Sequence, residues 1–435
     1  MFSEVIRQYG FWFVDALGGG YVGQYVADLE KKLQGDFDTS SDDLRKLLDH
    51  AVNSTDFYGK YRGYSGIKDF PIIKKNLVKE KYNQFISSDY KNRRLYKVQT
   101  SGSTGERFTM LQDKQKRKRV VAELIYFLNQ CGFRLGYRHI YARVWHSDND
   151  KTKLTFMMHN TIKFDCSCLS DKSLDKFYQL LSKDTSIKCI TGYATALAAI
   201  VLYFDRKGYT PDMFNIKVIV SGAERLEPKV KDMLKKVFGC TVVSRYANNE
   251  NGFLAQQTND GDNFILNTSH YFFEKLKLDS DEPASYGEPA RLVLTDLYNY
   301  AMPLIRYDTE DIVIMENVDV QGHKKNIIKE ISGRKADIIY DTRGNKISPH
   351  YVAIIFRKYD KLPEFQLIQE SLEKFTLKLE GARSFYEDED FQATVRQLVG
   401  PDAIVKIEHV DKIPHLSSGK MRKIICNLNA DARVD

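Results

Sequence analysis

The spacing of apolar positions changes along this chain, and the changes divide it. Over VGQYVADLEKKLQG, Val22, Tyr25, Val26, Leu29 and Leu33 recur at three- and four-residue intervals, which is one face of a helix, and Gly35 supplies a stop. SSDDLRKLLDHAV opens on Ser and Asp side chains able to accept the free amide hydrogens of a first turn, then continues amphipathically. Residues 1–90 are therefore expected to form a mostly helical start. YKVQT and FTMLQ read as short strands on either side of SGSTGER, and DKQKRKRVVAELIYFLNQCG reads as a long helix closed by Gly132. NIKVIVSG is a β-branched run, EPKVKDMLKKVFG an amphipathic helix with Gly239 just past its end, and CTVVSRY the next strand. This βαβ succession predicts a parallel sheet covered by helices. Such sheets hold ligands at the carboxyl ends of their strands, where VSGAE and SRYANNE fall.

From about residue 286 the pattern becomes β-rich, with ARLVLTDL, PLIRYDTEDIVIME and KNIIKEISG. Beyond the polar stretch GRKADIIYDTRGNK come EFQLIQE, KFTLKLE and IVKIEHV as strands, with FQATVRQLVG as a helix. The expected class is α/β. A large N-terminal domain, 1–336, has parallel-rich sheets covered by helices plus a β-rich subdomain, and a small mobile α+β domain spans 337–435.

Composition narrows the function classes. Lysine and arginine exceed aspartate and glutamate by 65 to 58 in 435 residues, an excess of +7 that is small for the length. The basic run Lys114, Lys116, Arg117, Lys118, Arg119 lacks aromatic interleaving and zinc-finger spacing. It reads as a solvated helix face, so no nucleic-acid partner is expected. Six cysteines are too scattered for a disulfide framework, and Cys166-x-Cys168 alone makes no zinc site. No apolar run reaches the roughly 18 residues of a membrane-spanning helix. The start MFSEVIRQYGFWFVDALGGGYVG is interrupted by Glu4, Arg7 and Asp15, unlike a secretory signal, which points to the cytoplasm. Around Phe11, Trp12 and Phe13 the expectation is a core-facing turn packed on the following helix, with membrane-surface contact as the alternative.

The strongest local chemistry is Thr100-Ser101-Gly102-Ser103-Thr104-Gly105 between two strands. Hydroxyls and glycine amides crowded into one turn can surround a polyphosphate, although no Walker lysine follows. In order after it stand VSGAE (220–224), RYANNE (245–250), PLIRYDTED (303–311), ISGRKAD (331–337) and PHLSSGKMRK (414–423). This ordered set resembles the adenylate-forming superfamily of acyl-CoA ligases, and most closely its phenylacetate–CoA ligase branch with the CapK-like relatives of capsular polysaccharide biosynthesis.

The resemblance implies roles position by position. Residues 100–105 correspond to the loop that grips the β- and γ-phosphates of ATP. Ala223 and Glu224 lie against one adenine face and Tyr246 stacks on the other. Asn249 accompanies Glu250, which helps to hold Mg²⁺, and Asp311 accepts the ribose hydroxyls. Arg334 contacts the nucleotide near ribose and phosphate, Asp337 is the hinge, and Lys420 reaches in for adenylation. The chain departs from the family pattern where Ala247 replaces a glycine after the tyrosine, Thr309-Glu310-Asp311 replaces Thr-Gly-Asp, and Ala336-Asp337 replaces a double aspartate. Candidate walls of the acyl pocket are Arg143, Trp145, His146, Tyr193 and Ala194. Arg143 either meets a second carboxylate or polar group of the substrate or is a buried structural arginine. The wall is more polar than an aromatic acid needs.

The resulting expectation is an ATP- and Mg²⁺-dependent ligase that forms an acyl-adenylate and passes the acyl group to coenzyme A. One alternative passes an acyl or aminoacyl group to an amino sugar or other amine, and another is a nucleotide-binding protein without catalysis. A homodimer is also compatible with this reading.

Overall fold

The computed structural model describes residues 2–34, 40–100, 108–143, 145, 152–166, 169–223, 225–259, 261–278, 280–320, 323–334, 339–344, 346–347, 352, 355–359, 364–380, 386–411, 413 and 424–428. Two compact units emerge. The first holds Met1–Val98, Thr109–Thr309 and Val313–Ile331, and the second holds Gln99–Phe108, Glu310–Ile312 and Ser332–Asp435.

The first unit begins with helices α1 (Phe2–Leu17), α2 (Tyr21–Gln34), α3 (Ser40–Ser54) and α4 (Lys75–Glu80). The expected N-terminal turn is instead the full helix α1, and its pattern is inverted. Glu4 faces inward to pair with Lys188 at 2.8 Å, and Asp15 accepts the Val22 and Gly23 amides at 3.1 and 2.9 Å. Phe11 and Trp12 pack on the cluster of Val22, Leu29 and Ile125, whereas Val5, Ile6, Tyr9, Phe13, Val14 and Leu17 are exposed. Inward polar groups with fixed partners account for the missing apolar stripe: the helix docks by capping and charge as much as by burial.

Strands β1 (Tyr96–Thr100) and β2 (Phe108–Gln112) form a two-stranded sheet, followed by α5 (Lys114–Gln130). Asp113 caps α5 by accepting the Lys116 amide at 2.7 Å. The middle of the chain runs β3 (Arg138–Arg143), α6 (Lys153–Met158), β4 (Thr161–Asp165), α7 (Asp171–Lys183), β5 (Ile187–Tyr193) and α8 (Ala194–Arg206). It continues through β6 (Val218–Gly222), α9 (Pro228–Phe238) and β7 (Thr241–Asn248). Gly239 ends α9 at φ +58, the left-handed geometry that glycine takes without steric cost. Strands β8 (Gly252–Gln257), β9 (Phe264–Leu266), β10 (Tyr271–Leu276), β11 (Pro289–Asp296), β12 (Tyr307–Val320) and β13 (His323–Arg334) follow. The eleven strands order as β10-β11-β12-β13-β9-β8-β7-β6-β5-β3-β4.

The half from β4 to β7 is parallel, and the pairs β7–β8, β8–β9, β9–β13 and β10–β11 are antiparallel. The inner parallel strands β5, β6 and β7 bury apolar residues on both faces, whereas the edge strand β4 is only half-buried. Ile190, Ile219 and Val242 pack with Leu197, Val230 and Leu234, while Cys189, Val220 and Val243 pack with Leu128 and Cys131. This is the expected α/β sheet covered by helices.

In the second unit, β14 (Ile339–Tyr340) pairs β15 (Lys346–Ile347), and the sheet order is β18-β17-β16-β19. Its strands are β16 (Glu364–Gln369), β17 (Lys374–Glu380), β18 (Ile404–Val410) and β19 (Ile424–Cys426), with α10 (Asp388–Val399) between β17 and β18. Phe365, Leu367, Phe375, Leu377, Phe391 and Val395 form its core. Gly400 closes α10 at φ +124, where a Cβ would lie 2.2 Å from Thr342 Oγ1.

Candidate functional site

The parallel strands end together. Ala142, Gly192, Ser221 and Ser244 lie opposite one another on β3, β5, β6 and β7; β3, β5 and β6 end one residue beyond them, and β7 runs on to Asn248 against β8. Tyr193 is the last residue of β5, half-buried, and Ala194 opens α8 fully buried. Ala223 follows β6 with φ +66, a conformation costly for a residue with a Cβ. Near the end of β7, Tyr246 is half-buried and packs on the apolar clusters around Leu254 and Leu266. Pairing with β8 slips between Tyr246 and Ala247, a bulge of the kind that re-aims side chains beside sites.

The turn after β7 is built tightly. Asn248 Oδ1 accepts both the Asn251 amide at 2.9 Å and Asn251 Nδ2 at 3.1 Å, closing the loop that carries Asn249 and Glu250. Asn249 is exposed, whereas Glu250 is buried. Glu250 Oε1 accepts the Tyr307 hydroxyl at 3.3 Å, and its carbonyl accepts Gln112 Nε2 at 3.3 Å. Gly252 sits at φ +129, where any Cβ would lie 2.9 Å from both Glu123 Oε2 and Tyr271 Oη.

Beneath this turn is a buried polar network. Glu123 Oε2 accepts the Phe253 amide at 3.1 Å, and its Oε1 lies 2.6 Å from His270 Nδ1 and 3.1 Å from Tyr271 Oη. The Tyr271 hydroxyl also reaches the Asn251 carbonyl at 2.9 Å and accepts from Lys116 Nζ at 3.1 Å. Lys116 in turn pairs with Asp296 at 2.8 Å, with both side chains essentially fully buried. Burial pushes the Glu123 carboxyl up to about 6, against the pull of Lys116, and holds the His270 imidazole well below its ordinary value. His270 is thus neutral, donating through Nδ1 to Glu123.

The basic run is therefore not a solvated face. Lys116 is internal, Arg119 lies over the Tyr25 and Tyr298 rings at 3.9 and 3.6 Å, and Lys118 donates to the Gly18 carbonyl at 3.2 Å. Helical spacing puts Lys116 and Glu123 on the inward stripe. That signal was visible, but composition alone disguised it.

Along the other strands, Trp145 donates from Nε1 to the Phe164 carbonyl at 3.2 Å and meets Tyr141 and Phe156 edge-on. The Arg143 guanidinium lies 5.3 Å from the Tyr141 ring centre and 5.4 Å from that of Trp145. Asp311 is half-buried on β12, directly after Glu310 at φ +63, and Arg334 ends β13. Thr100 ends β1. Ser101, Gly102, Ser103, Thr104, Gly105, His146, Glu224, Asp337 and Lys420 lie outside the described residues. The first unit thus brings together Tyr193, Ala194, Ala223, Tyr246, Asn249 and Glu250 along one sheet edge. Tyr307 and Gln112, which fix Glu250, carry no sequence signal, because only the fold joins them.

Among the described residues, no three metal-ligating side chains cluster, and no helix is long and apolar enough to cross a membrane.

Comparison with known proteins places this geometry. Residues 339–427 match the CapK C-terminal domain. The chain is 24% identical over 393 residues to Protein CapK of Staphylococcus aureus, covering 87% of this chain and 84% of that protein. It is 24% identical over 256 residues to the phenylacetate-coenzyme A ligase of Thermus thermophilus, covering 57% of this chain and 55% of that one. Among solved structures, 2-hydroxyisobutyryl-CoA ligase in the postadenylation state with R3-HIB-AMP aligns at TM-score 0.63 and 15% identity, over 90% of this chain and 89% of that one. The same enzyme in its thioesterification state with 2-HIB-AMP and CoA aligns at 0.57 and 16% identity, over 90% and 91%. The chain is a relative of CapK and of the phenylacetate–coenzyme A ligases, with the fold of the adenylate-forming acyl-CoA ligases and a CapK-type C-terminal domain.

Proposed function

We propose that this chain is an ATP-dependent, adenylate-forming ligase. A carboxylate oxygen of the acid attacks the α-phosphorus of ATP, pyrophosphate leaves, and the acyl-adenylate then loses AMP as the acyl group passes to the thiol of coenzyme A. The observation that carries this reading is the buried Glu250, held by Tyr307 in a rigid turn at the carboxyl edge of the parallel sheet. A carboxylate kept there, with no arginine or lysine paired to it among the described residues, suits a cation brought in with a nucleotide.

Mg²⁺ is bound through one or two carboxylates plus phosphate oxygens, so Glu250 is chemically sufficient as its protein ligand. When bound, the ion offsets charge where two anions approach. Tyr246 supplies an aromatic face for adenine, Asp311 a ribose acceptor, and residues 100–105 the phosphate loop. Lys420 is assigned the charge that stabilises the reacting carboxylate and phosphate, with the C-terminal domain, 337–435, turning about Asp337 between half-reactions. An amine acceptor is the second reading, motivated by the polar candidate wall around Arg143 and by Ala336-Asp337 in place of a double aspartate at the hinge.

ATP–pyrophosphate exchange across a panel of carboxylic acids tests the first half-reaction. Exchange that needs the acid and falls in Glu250→Gln is expected. ATP binding without exchange for any acid would remove the proposal. Product formation with coenzyme A against amino sugars separates the two acceptors.

A further inference from the structure

Arg245 stands directly before Tyr246 on β7 and, by strand alternation, faces the opposite side of the sheet. On that side lie Val243, Val220 and Cys189, under α5. Its guanidinium carbon sits 5.0 Å from the Phe253 ring centre, and Phe253 is itself stacked on Phe127 at 4.5 Å and 13°. The head group is therefore held in one place by a two-ring stack.

Among the described residues, no carboxylate pairs with it. Nε and Nη2 of Arg245 are buried without a hydrogen-bond partner. The polar groups that feel its charge are Tyr141, Cys131 and Cys189, none of them a carboxylate. Gln256, directly opposite on β8, gives its amide nitrogen to the Phe127 carbonyl at 2.6 Å, and its Oε1, the atom able to accept from a guanidinium, is itself buried without a hydrogen-bond partner. A guanidinium does not escape by losing its proton, so a half-buried one with two buried nitrogens lacking an acceptor is a costly arrangement.

The same row supplies a second cation. One step beyond Ala142, Gly192, Ser221 and Ser244 come Arg143, Tyr193, Gly222 and Arg245. Arg143 Nε is also buried without a partner. Between them, Gly222 has no atom within 4 Å of where a Cβ would project. Two under-satisfied guanidinium groups thus share one row at the edge where the acid is activated, with an open position between them.

We infer that the acid carries a second, non-reacting carboxylate, and that Arg245, assisted by Arg143, is its recognition group. The inference rests on the adenylation reading and adds the substrate class to it: a dicarboxylic acid, activated at one end and held by Arg245 at the other.

The test compares matched pairs in ATP–pyrophosphate exchange: succinate with butyrate, glutarate with pentanoate, adipate with hexanoate. The wild type is expected to prefer one or more dicarboxylates by about 10⁴-fold in kcat/KM, the scale at which a polar site rejects a partner that leaves its groups unmet. Arg245→Met is expected to abolish that preference, and Arg245→Lys to retain part of it. Without ligand, Arg245→Met is expected to raise Tm, since it removes a buried charge that lacks a partner. A merely structural arginine predicts the reverse, so a lowered Tm with an unchanged preference overturns the inference. Equal or better exchange with the monocarboxylates overturns it while leaving adenylation standing. If no acid supports exchange, calorimetric titration of the same dicarboxylates decides. Binding lost in Arg245→Met upholds the site and rejects adenylation, and absence of binding to the wild type overturns the site.

Discussion

The Glu123 carboxylate accepts the Phe253 amide at 3.1 Å across 130 positions of sequence, and this tie locks α5 to the strand that leaves the Glu250 turn. Tyr271 completes the lock, reaching both Glu123 and the Asn251 carbonyl. Tyr271→Phe deletes only the hydroxyl, whose single proton serves one of those oxygens at a time and whose oxygen accepts from Lys116 Nζ. The expected cost is about 1–3 kcal/mol, read from urea midpoints. If Glu250 works on bound nucleotide, the KM for ATP rises more than kcat falls. An unchanged midpoint together with an unchanged KM would show that the turn is held without the hydroxyl.

The Lys116–Asp296 pair is dry, which makes its two single variants unequal to its double. Lys116→Met strands a carboxylate in the interior, at an expected cost of about 3–5 kcal/mol. Replacing both partners, as Lys116→Met with Asp296→Leu, removes the stranded charge and recovers most of that loss. Tyr271 and the Tyr298 amide, which donates to Asp296 at 3.1 Å, limit the recovery. A double variant as unstable as Lys116→Met would mean that packing, not charge, dominates at this position.

Ala223 holds a left-handed backbone at φ +66 with no side-chain partner to justify it. Left-handed geometry costs an L-residue about 1–2 kcal/mol, against about 0.5–1 kcal/mol of added chain entropy for glycine. Ala223→Gly is therefore expected to stabilise by about 0.5–1 kcal/mol, and Ala223→Val to destabilise. If both lower the midpoint in chemical denaturation, the strain argument is wrong here. Glu310 also takes a left-handed backbone, at φ +63, beside Asp311, at the position where the family pattern carries glycine.

Periodicity revealed most of the sheet because strands such as β6 and β7 are buried on both faces and read as apolar runs. The α9 helix was equally legible, bounded by Pro228 and Gly239. What escaped were contacts made by distance in sequence. Lys116 read as surface because lysine seldom goes inside, and nothing local announces Asp296 as its partner. The first helix escapes a periodicity reading because Glu4 and Asp15 face inward alongside Phe11 and Trp12, and the partners of the two carboxylates, Lys188 and the Val22 amide, are supplied by the fold. The Glu250 turn was visible as a motif, whereas Tyr307, Gln112 and the unmet charge of Arg245 required the structure.

His270 makes acid stability testable. Burial holds its folded pKa well below the unfolded value, so the unfolded chain takes up a proton first as pH falls. Its contribution is complete above about pH 6.5 and declines below it. Glu123, raised to about 6, acts in the opposite sense, since its protonation favours the folded chain as pH falls from above 6 toward 4.5. Comparing His270→Gln with the wild type at pH 7.5 and 5.5 isolates the histidine. The variant is expected to lose less stability across that interval, and an equal loss in both proteins would assign acid sensitivity elsewhere.

If the proposed adenylation chemistry holds, Lys420 and Glu250 separate catalysis from nucleotide binding. If the lysine acts only where charge develops between carboxylate and α-phosphate, Lys420→Ala lowers exchange by about 10²–10³-fold, equivalent to roughly 3–4 kcal/mol. Its ATP affinity by calorimetry should then change little, because ground-state contacts remain. Glu250→Gln, by contrast, weakens a contact made as soon as the nucleotide and its cation bind, so affinity and exchange fall together. A chain that binds nucleotide without turning it over predicts no effect of Lys420→Ala on any function it has. Equal losses of affinity in the two variants would instead place Lys420 among the ground-state binding groups, and the division of labour between the large domain and its C-terminal partner would have to be redrawn.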